Sequence, residues 1–103
     1  NPRAACFVGQ GGPSVPDIME TVKAVKNYPQ KWKSKVGPLR VPRVMTSSCS
    51  AVLSTAFQLQ GPSYCISSAC SSSGHCIGTG FQQIQLGKSD IAFCGAGTLL
   101  YIL

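Results

Sequence analysis

Residues 64–78 read Tyr64-Cys-Ile-Ser-Ser-Ala-Cys70-Ser-Ser-Ser-Gly-His-Cys-Ile-Gly78, a strand-like run that breaks into a helix start through small residues. Tyr and Ile favour a strand over 63–68. From residue 71 to 86 the spacing of Cys76, Ile77, Phe81 and Ile84 predicts a helix with those side chains inward, closed by Gly87. Asp90-Ile-Ala-Phe-Cys94 is a second strand. Strand, helix and strand in that order predict a right-handed βαβ crossover in a parallel sheet. Cys70 then lies at the carboxyl end of a parallel strand, where open α/β sheets place ligands. A thiol on the first turn of a helix faces unsatisfied N–H groups, and the positive end of the helix dipole favours its thiolate. A sharp strand-to-helix turn is also how a nucleophile is lifted clear of a sheet.

Upstream, residues 4–8 (Ala-Ala-Cys-Phe-Val) form a short apolar run ended by Gly9-Gln-Gly-Gly-Pro13, which predicts a buried strand and a tight loop. Ser14 followed by Asp17 resembles a capping box, and Pro16 suits a first helical turn. Ile18, Val22 and Val25 recur at helical spacing, so a helix is expected over 16–27, ended by Pro29. The lysine-rich segment to Pro42 reads as loop. Thr46, Ser47 or Ser48 caps a further helix in which Cys49, Val52, Leu53, Ala56 and Phe57 form the inward stripe. Gly61 and Pro62 supply its stop.

The chain has 103 residues, enough for one domain, with 44% hydrophobic and only 12% charged residues. Few charges and an apolar final run at 98–103 suggest a piece of a larger buried-sheet protein. No run approaches the roughly 20 apolar residues of a spanning helix, and no secretory signal is visible. Four of the six cysteines (Cys6, Cys49, Cys65 and Cys94) fall in apolar runs, where a free thiol behaves as a small hydrophobe. A reducing compartment, the cytosol, is expected. Net charge is +6, and seven of the nine basic residues lie between Lys23 and Arg43. The RNP, zinc-finger and basic-zipper patterns of nucleic-acid binders are absent. An acidic protein partner and a solvated face both account for the cluster.

His75 is the single histidine and the obvious base for Cys70. Five residues along a helix is about 140° of rotation, so the two side chains leave different faces. Cys65, Cys70, His75 and Cys76 lack the short paired spacing of a zinc knuckle. Gly9, Gly11 and Gly12 match neither glycine fingerprint of phosphate loops, which leaves a tight turn.

Ser67-Ser-Ala-Cys70, His75-Cys-Ile-Gly78 and Gln83-Ile-Gln-Leu-Gly-Lys88, followed by Asp90-Ile-Ala-Phe, resemble the nucleophile region of the β-ketoacyl-[acyl-carrier-protein] synthase family. Val36-Gly-Pro38, Met45 and Leu53-Ser-Thr-Ala-Phe57 continue the likeness in register. The resemblance implies an α/β, thiolase-like layered fold built from two related halves. Residues 1–103 would be a partial N-terminal ketosynthase domain from the middle of the first half, with the C-terminal half absent. It implies a decarboxylating condensation in fatty acid biosynthesis, with Cys70 as acyl-accepting nucleophile and its backbone N–H as half of an oxyanion hole.

The resemblance further implies that Tyr64, Cys65, Ile66 and Ser67 lie at a homodimer interface. By the same likeness Met45 contributes to the partner subunit's acyl pocket, and Gly12 lies on the substrate channel. Lys31, Lys33 and Lys35 would dock the acidic acyl carrier protein, whose phosphopantetheine carries the substrates, with no cofactor, metal, membrane or nucleic acid involved. The cytoplasm is the implied location, a plastid or mitochondrion being compatible. The family's two catalytic histidines and lysine belong to the second half, so the isolated chain is expected to be inactive in condensation. Gly95-Ala-Gly-Thr-Leu-Leu100 departs from the family's pattern, and residues 13–35 run slightly longer than it. A dimerising fragment without catalysis, a thiolase and a polyketide ketosynthase are the alternative readings.

Overall fold

The computed structural model describes residues 1–97; the apolar run 98–103, with the end of the off-pattern stretch Gly95–Leu100, lies outside the described residues. The described chain divides into two units, one made of Asn1–Gly12 with residues 46–97, the other of Pro13–Met45.

The first unit is built on β1 (Ala4–Gln10), β2 (Ser63–Tyr64) and β3 (Ile91–Gly97). These form a three-stranded, all-parallel sheet in the order β2-β1-β3. Phe7 pairs with Tyr64 on one side and Cys94 on the other. The central strand is the core: Ala4, Ala5, Cys6 and Phe7 are all buried, as expected of a parallel strand covered on both faces. Side chains alternate along it. Cys6 therefore faces α4 (Ser48–Ala56), with its Sγ 3.8 Å from the Ser50 carbonyl oxygen. Ala5 and Phe7 face α5 (Ser72–Gln85), packing with Cys76 and with Ile66, Ala92 and Cys94. The connection β2–α5–β3 is parallel as expected, but it spans β1 rather than joining neighbouring strands.

The apolar stripes predicted for the two helices do not face the sheet. In α4, Cys49, Val52, Ala56 and Phe57 are exposed and Leu53 is half-buried, while Ser50 turns inward. In α5, Cys76 is buried as expected, but Ile77, Phe81 and Ile84 are exposed; Ser72 and Gly80 take the inward places. The cause is close approach. At Gly80 a Cβ would collide with the Cys94 Sγ and stand 3.2 Å from the Ala92 Cβ. Only the small series Ser72, Cys76 and Gly80, four residues apart, lets α5 sit this low on the sheet. Phe57 and Phe93 stack instead on each other, ring centroids 6.1 Å apart.

Two boundaries also differ from expectation. The strand expected over 63–68 stops at Tyr64, because the following residues rise off the sheet edge to cross over Gly9. Helix α4 ends at Ala56, ahead of Gly61 and Pro62, where Gln58 takes a left-handed φ of 52°. Gly61 serves a different purpose: a Cβ there would stand 2.6 Å from the Ala4 carbonyl oxygen, so glycine lets the chain enter β2 against β1.

The second unit holds α1 (Val15–Asn27), α2 (Trp32–Val36) and α3 (Arg40–Val44). The lysine-rich segment is thus two short helices, not an open loop. Ser14 is the N-cap of α1, but its hydroxyl donates to the Asp17 carboxylate at 2.6 Å instead of capping a backbone N–H. No residue of the three helices is buried. Charge ties α1 to α3: Arg40 Nη1 reaches Asp17 at 2.8 Å and Glu20 at 3.0 Å, and Arg43 Nε lies 3.4 Å from Asp17. In the first unit Arg3 binds Asp90 through two nitrogens, at 2.7 and 2.8 Å, and donates to the Gly87 carbonyl at 2.8 Å. The three acidic residues of the chain are thereby engaged by its three arginines, and among the described residues no lysine has an acidic partner.

Candidate active site

Cys70 sits in a single 3₁₀ turn, Ala69–Ser71, that runs directly into α5. It therefore stands just ahead of the helix rather than within its first turn, six residues beyond the end of β2. The thiol is exposed. The first hydrogen bond of the turn runs from the Ser71 N–H to the Ser68 carbonyl at 3.0 Å. The Cys70 N–H precedes that bond, in the place of an N-terminal orphan donor.

The turn is held by backbone conformation and by serines. Ala69 has φ of +46°, a left-handed value for a residue with a Cβ, which costs roughly 1–2 kcal/mol. The Ser72 hydroxyl accepts from the Ser68 N–H at 2.7 Å and donates to the Ala69 carbonyl at 2.8 Å. The Ser71 hydroxyl donates to the Ser68 carbonyl at 2.7 Å, and the Ser68 and Ser71 hydroxyls lie 3.0 Å apart. Beneath them Gly9 admits the crossing chain: a Cβ there would collide with the Ile66 carbonyl oxygen and stand 3.1 Å from both the Cys76 Sγ and the Ser72 Cβ. Glycine on β1 thus lets residues 65–68 pass close over the sheet before the chain turns at Ala69. An exposed thiol beside a backbone N–H at the start of a helical turn, on a turn held by serine hydroxyls, can present a nucleophile to a carbonyl.

Other candidates fall out as follows. His75 is exposed on α5 and has no hydrogen-bond partner among the described residues. Among those residues no group of three His, Cys, Asp or Glu side chains could hold a metal ion, so the set Cys65, Cys70, His75 and Cys76 forms no such site. All six cysteines are free; Cys6 and Cys76 are buried, Cys65 and Cys94 partly buried, and Cys49 is exposed. Burial pushes the Cys94 thiol pKa up, reinforced by the neighbouring Cys76 and Cys6.

Tyr64 lies on edge strand β2, its ring 4.8 Å from that of Phe7, and Cys65, Ile66 and Ser67 continue from it. Gly12 belongs to the same unit as Cys70, and nothing lies within 4 Å of where its Cβ would be. Met45, at the end of α3, is 48% exposed and belongs to the other unit, with Lys31, Lys33 and Lys35, all exposed. Lys35 Nζ stands 4.7 Å from the centre of the Tyr28 ring and Lys33 Nζ 5.8 Å from that of Trp32. Sequence reasoning gave Gly9 a tight turn only, and gave Ser72 and Ala69 no role of their own. The spacing of Ser72, Cys76 and Gly80 would have pointed to Ser72; nothing in a sequence marks an alanine for the left-handed region.

The sequence matches "Beta-ketoacyl synthase, N-terminal domain" over residues 1–102. The chain belongs to the β-ketoacyl synthase family. It is 45% identical over 97 residues to 3-oxoacyl-[acyl-carrier-protein] synthase 1 of Escherichia coli K12, covering 94% of this chain and 23% of that protein. The Haemophilus influenzae protein of the same name is 40% identical over 95 residues, 92% of this chain and 23% of its own length. The chain therefore spans about a quarter of these relatives. Among solved structures, the Xenorhabdus doucetiae ketosynthase ApeO in complex with its chain length factor ApeC superposes with a TM-score of 0.78 at 24% identity, covering 95% of this chain and 24% of that one. At that identity the likeness concerns the fold, which is the α/β, thiolase-like ketosynthase fold. No helix among the described residues is long and apolar enough to cross a membrane.

Proposed function

We propose that this chain is the nucleophile-bearing part of a β-ketoacyl-[acyl-carrier-protein] synthase of fatty acid biosynthesis, with Cys70 as acyl acceptor. The observation that carries this reading is the exposed Cys70 on a clasped left-handed turn at the head of α5, in a β-ketoacyl synthase chain. The Cys70 thiolate attacks the carbonyl of an acyl thioester, the Cys70 N–H stabilises the oxyanion, and the pantetheine thiol leaves with a proton. Malonyl thioester then loses carbon dioxide, its α-carbanion attacks the Cys70 thioester, and Cys70 is released as thiolate beside a β-ketoacyl product. Groups assisting decarboxylation would come from outside this chain.

The same reading gives the remaining residues their parts. Acyl carrier protein is acidic, and the exposed Lys31, Lys33 and Lys35 offer it charge unneutralised by neighbouring acids. Tyr64, Cys65, Ile66 and Ser67 lie on or beside an edge strand, which suits pairing across a homodimer twofold. Gly12 and Met45 are assigned to the acyl channel by the family likeness. No cofactor is required, and the enzyme would work in the cytoplasm.

The test is acylation of the full-length protein by an acyl-carrier-protein thioester, read by mass spectrometry. Wild type should gain the acyl mass on the peptide containing Cys70, and Cys70→Ala should gain none. An adduct that persists in Cys70→Ala removes the assignment. Charge reversal at Lys31, Lys33 and Lys35 should weaken carrier-protein binding, most strongly at low salt. Unchanged affinity at low salt would remove the docking role.

A further inference from the structure

We propose that Ser72 is the positioning residue for Cys70: its buried hydroxyl holds the left-handed turn at Ala69 and so fixes where the thiol and its N–H stand. The inference rests on Cys70 being the nucleophile. Ser72 is the first residue of α5, and its neighbour Ser71 occupies the N-cap. Ser71 makes no side-chain cap bond into the helix, the usual work of a serine at that place. Ser72 instead reaches backwards. Its hydroxyl spans the turn, accepting from Ser68 N–H at 2.7 Å and donating to the Ala69 carbonyl at 2.8 Å, one bond to the residue before Ala69 and one to Ala69 itself, whose φ is +46°.

Three details separate Ser72 from the other serines of the cluster. It is 1% exposed, so its two bonds face no competition from water, whereas Ser68 and Ser71 are exposed. Its Cβ stands 3.1 Å from the place of a Gly9 Cβ, so β1 backs the side chain closely. It also lies one helical turn from Cys76 and two from Gly80, the residues that seat α5 on the sheet. The seat of the helix is thereby transmitted to the turn through one hydroxyl. Without it the Ser68 N–H loses its acceptor and Ala69 can relax toward the right-handed region that residues with a Cβ prefer. Cys70, next in the chain, then swings from the head of α5.

The test is site-resolved alkylation of the full-length protein by iodoacetamide, with buried Cys6 and Cys76 as internal reporters of an intact core. Ser72→Ala should slow Cys70 alkylation at least about fivefold, the effect of losing even one of its two hydrogen bonds, while Cys6 and Cys76 stay protected. Glycine adopts the left-handed turn without steric penalty, so in an Ala69→Gly background Ser72→Ala should slow Cys70 much less. A wild-type rate in Ser72→Ala, or an equal slowing in both backgrounds, overturns the proposal. Should Ser72→Ala lay Cys6 and Cys76 open, Ser72→Thr, which keeps the hydroxyl, decides: a near-wild-type Cys70 rate supports the proposal and a rate as low as Ser72→Ala overturns it. Acyl transfer from a thioester is measured alongside. If Cys70 alkylation depends on Ser72 but wild type takes no acyl group, the ketosynthase reading fails and the positioning role stands. If acyl transfer occurs and both rates ignore Ser72, the reverse holds.

Discussion

Gly78 and Gly80 lie two residues apart in α5, and the same substitution should move stability in opposite directions at the two. A Cβ on Gly78 meets nothing within 4 Å. Replacing glycine by alanine in a helix interior gains about 0.8–1.0 kcal/mol, so Gly78→Ala should stabilise by nearly that amount. At Gly80 the new methyl collides with the Cys94 Sγ and stands 3.2 Å from the Ala92 Cβ and 3.7 Å from the Phe7 Cδ2. Overpacking of this kind costs about 1–3 kcal/mol, which after the helical gain leaves a net loss of about 1 kcal/mol. The offending atom can be removed: in a Cys94→Ala background the Gly80→Ala change should become neutral or favourable, a coupling of about 1–2 kcal/mol. Urea unfolding followed by circular dichroism gives the five midpoints, wild type included, comparable where the slope is constant. A Gly80→Ala midpoint raised as far as that of Gly78→Ala would refute the close seating of α5. So would a Gly80→Ala penalty that Cys94→Ala leaves untouched.

Further outcomes follow from other contacts. The Arg40 and Asp17 side chains are both only 13% exposed, so Arg40→Met should destabilise residues 13–45 by about 2 kcal/mol; limited proteolysis there should speed up, and an unchanged cleavage rate would contradict the ionic tie. Hydrogen bonding from Arg3 holds the Asp90 carboxyl below its usual value. Its contribution is therefore present above the unfolded carboxylate pKa and lost as pH falls through the lowered folded value. Asp90→Asn should remove that acid-side dependence, leaving only a small effect at neutral pH because the pair is open to solvent; an acid limb identical to wild type would rule the pair out as its source. Burial raises the Cys94 thiol pKa, so near pH 8 maleimide should label Cys94 much more slowly than exposed Cys49. Equal labelling would mean the α5–β3 contact opens readily.

The sequence around Cys70 revealed the topology better than the packing. A thiol between a short strand and a helix start, ahead of a second strand, placed Cys70 at a strand-to-helix junction of a parallel α/β sheet, and the structure agrees on that placement. The apolar stripes misled because Val52, Phe57, Ile77, Phe81 and Ile84 announce that they are apolar, not which surface they face. The sheet selects for closeness instead, and Ser50, Ser72, Cys76 and Gly80 win the inward places by being small. Helices of five residues such as α2 and α3 are too short to display a period, so the lysine-rich segment read as loop. The left-handed turns at Gln58 and Ala69 carry no sequence mark, since both residues ordinarily prefer the right-handed region. They depend on tertiary contacts for which the local sequence has no vocabulary.

The division of labour between arginine and lysine makes surface potential and architecture independently adjustable in this chain. With Asp17, Glu20 and Asp90 engaged by Arg3, Arg40 and Arg43, the net +6 equals the number of lysines. Each lysine acetylated lowers the positive field by one charge without breaking an ion pair of the described structure. Isoelectric point, solubility and long-range steering can thus be dialled stepwise, by enzymatic modification or by mutation to glutamine. Added salt screens the exposed lysines beyond a Debye length of about 8–10 Å, whereas the largely sheltered Arg40–Asp17 contact is attenuated far less.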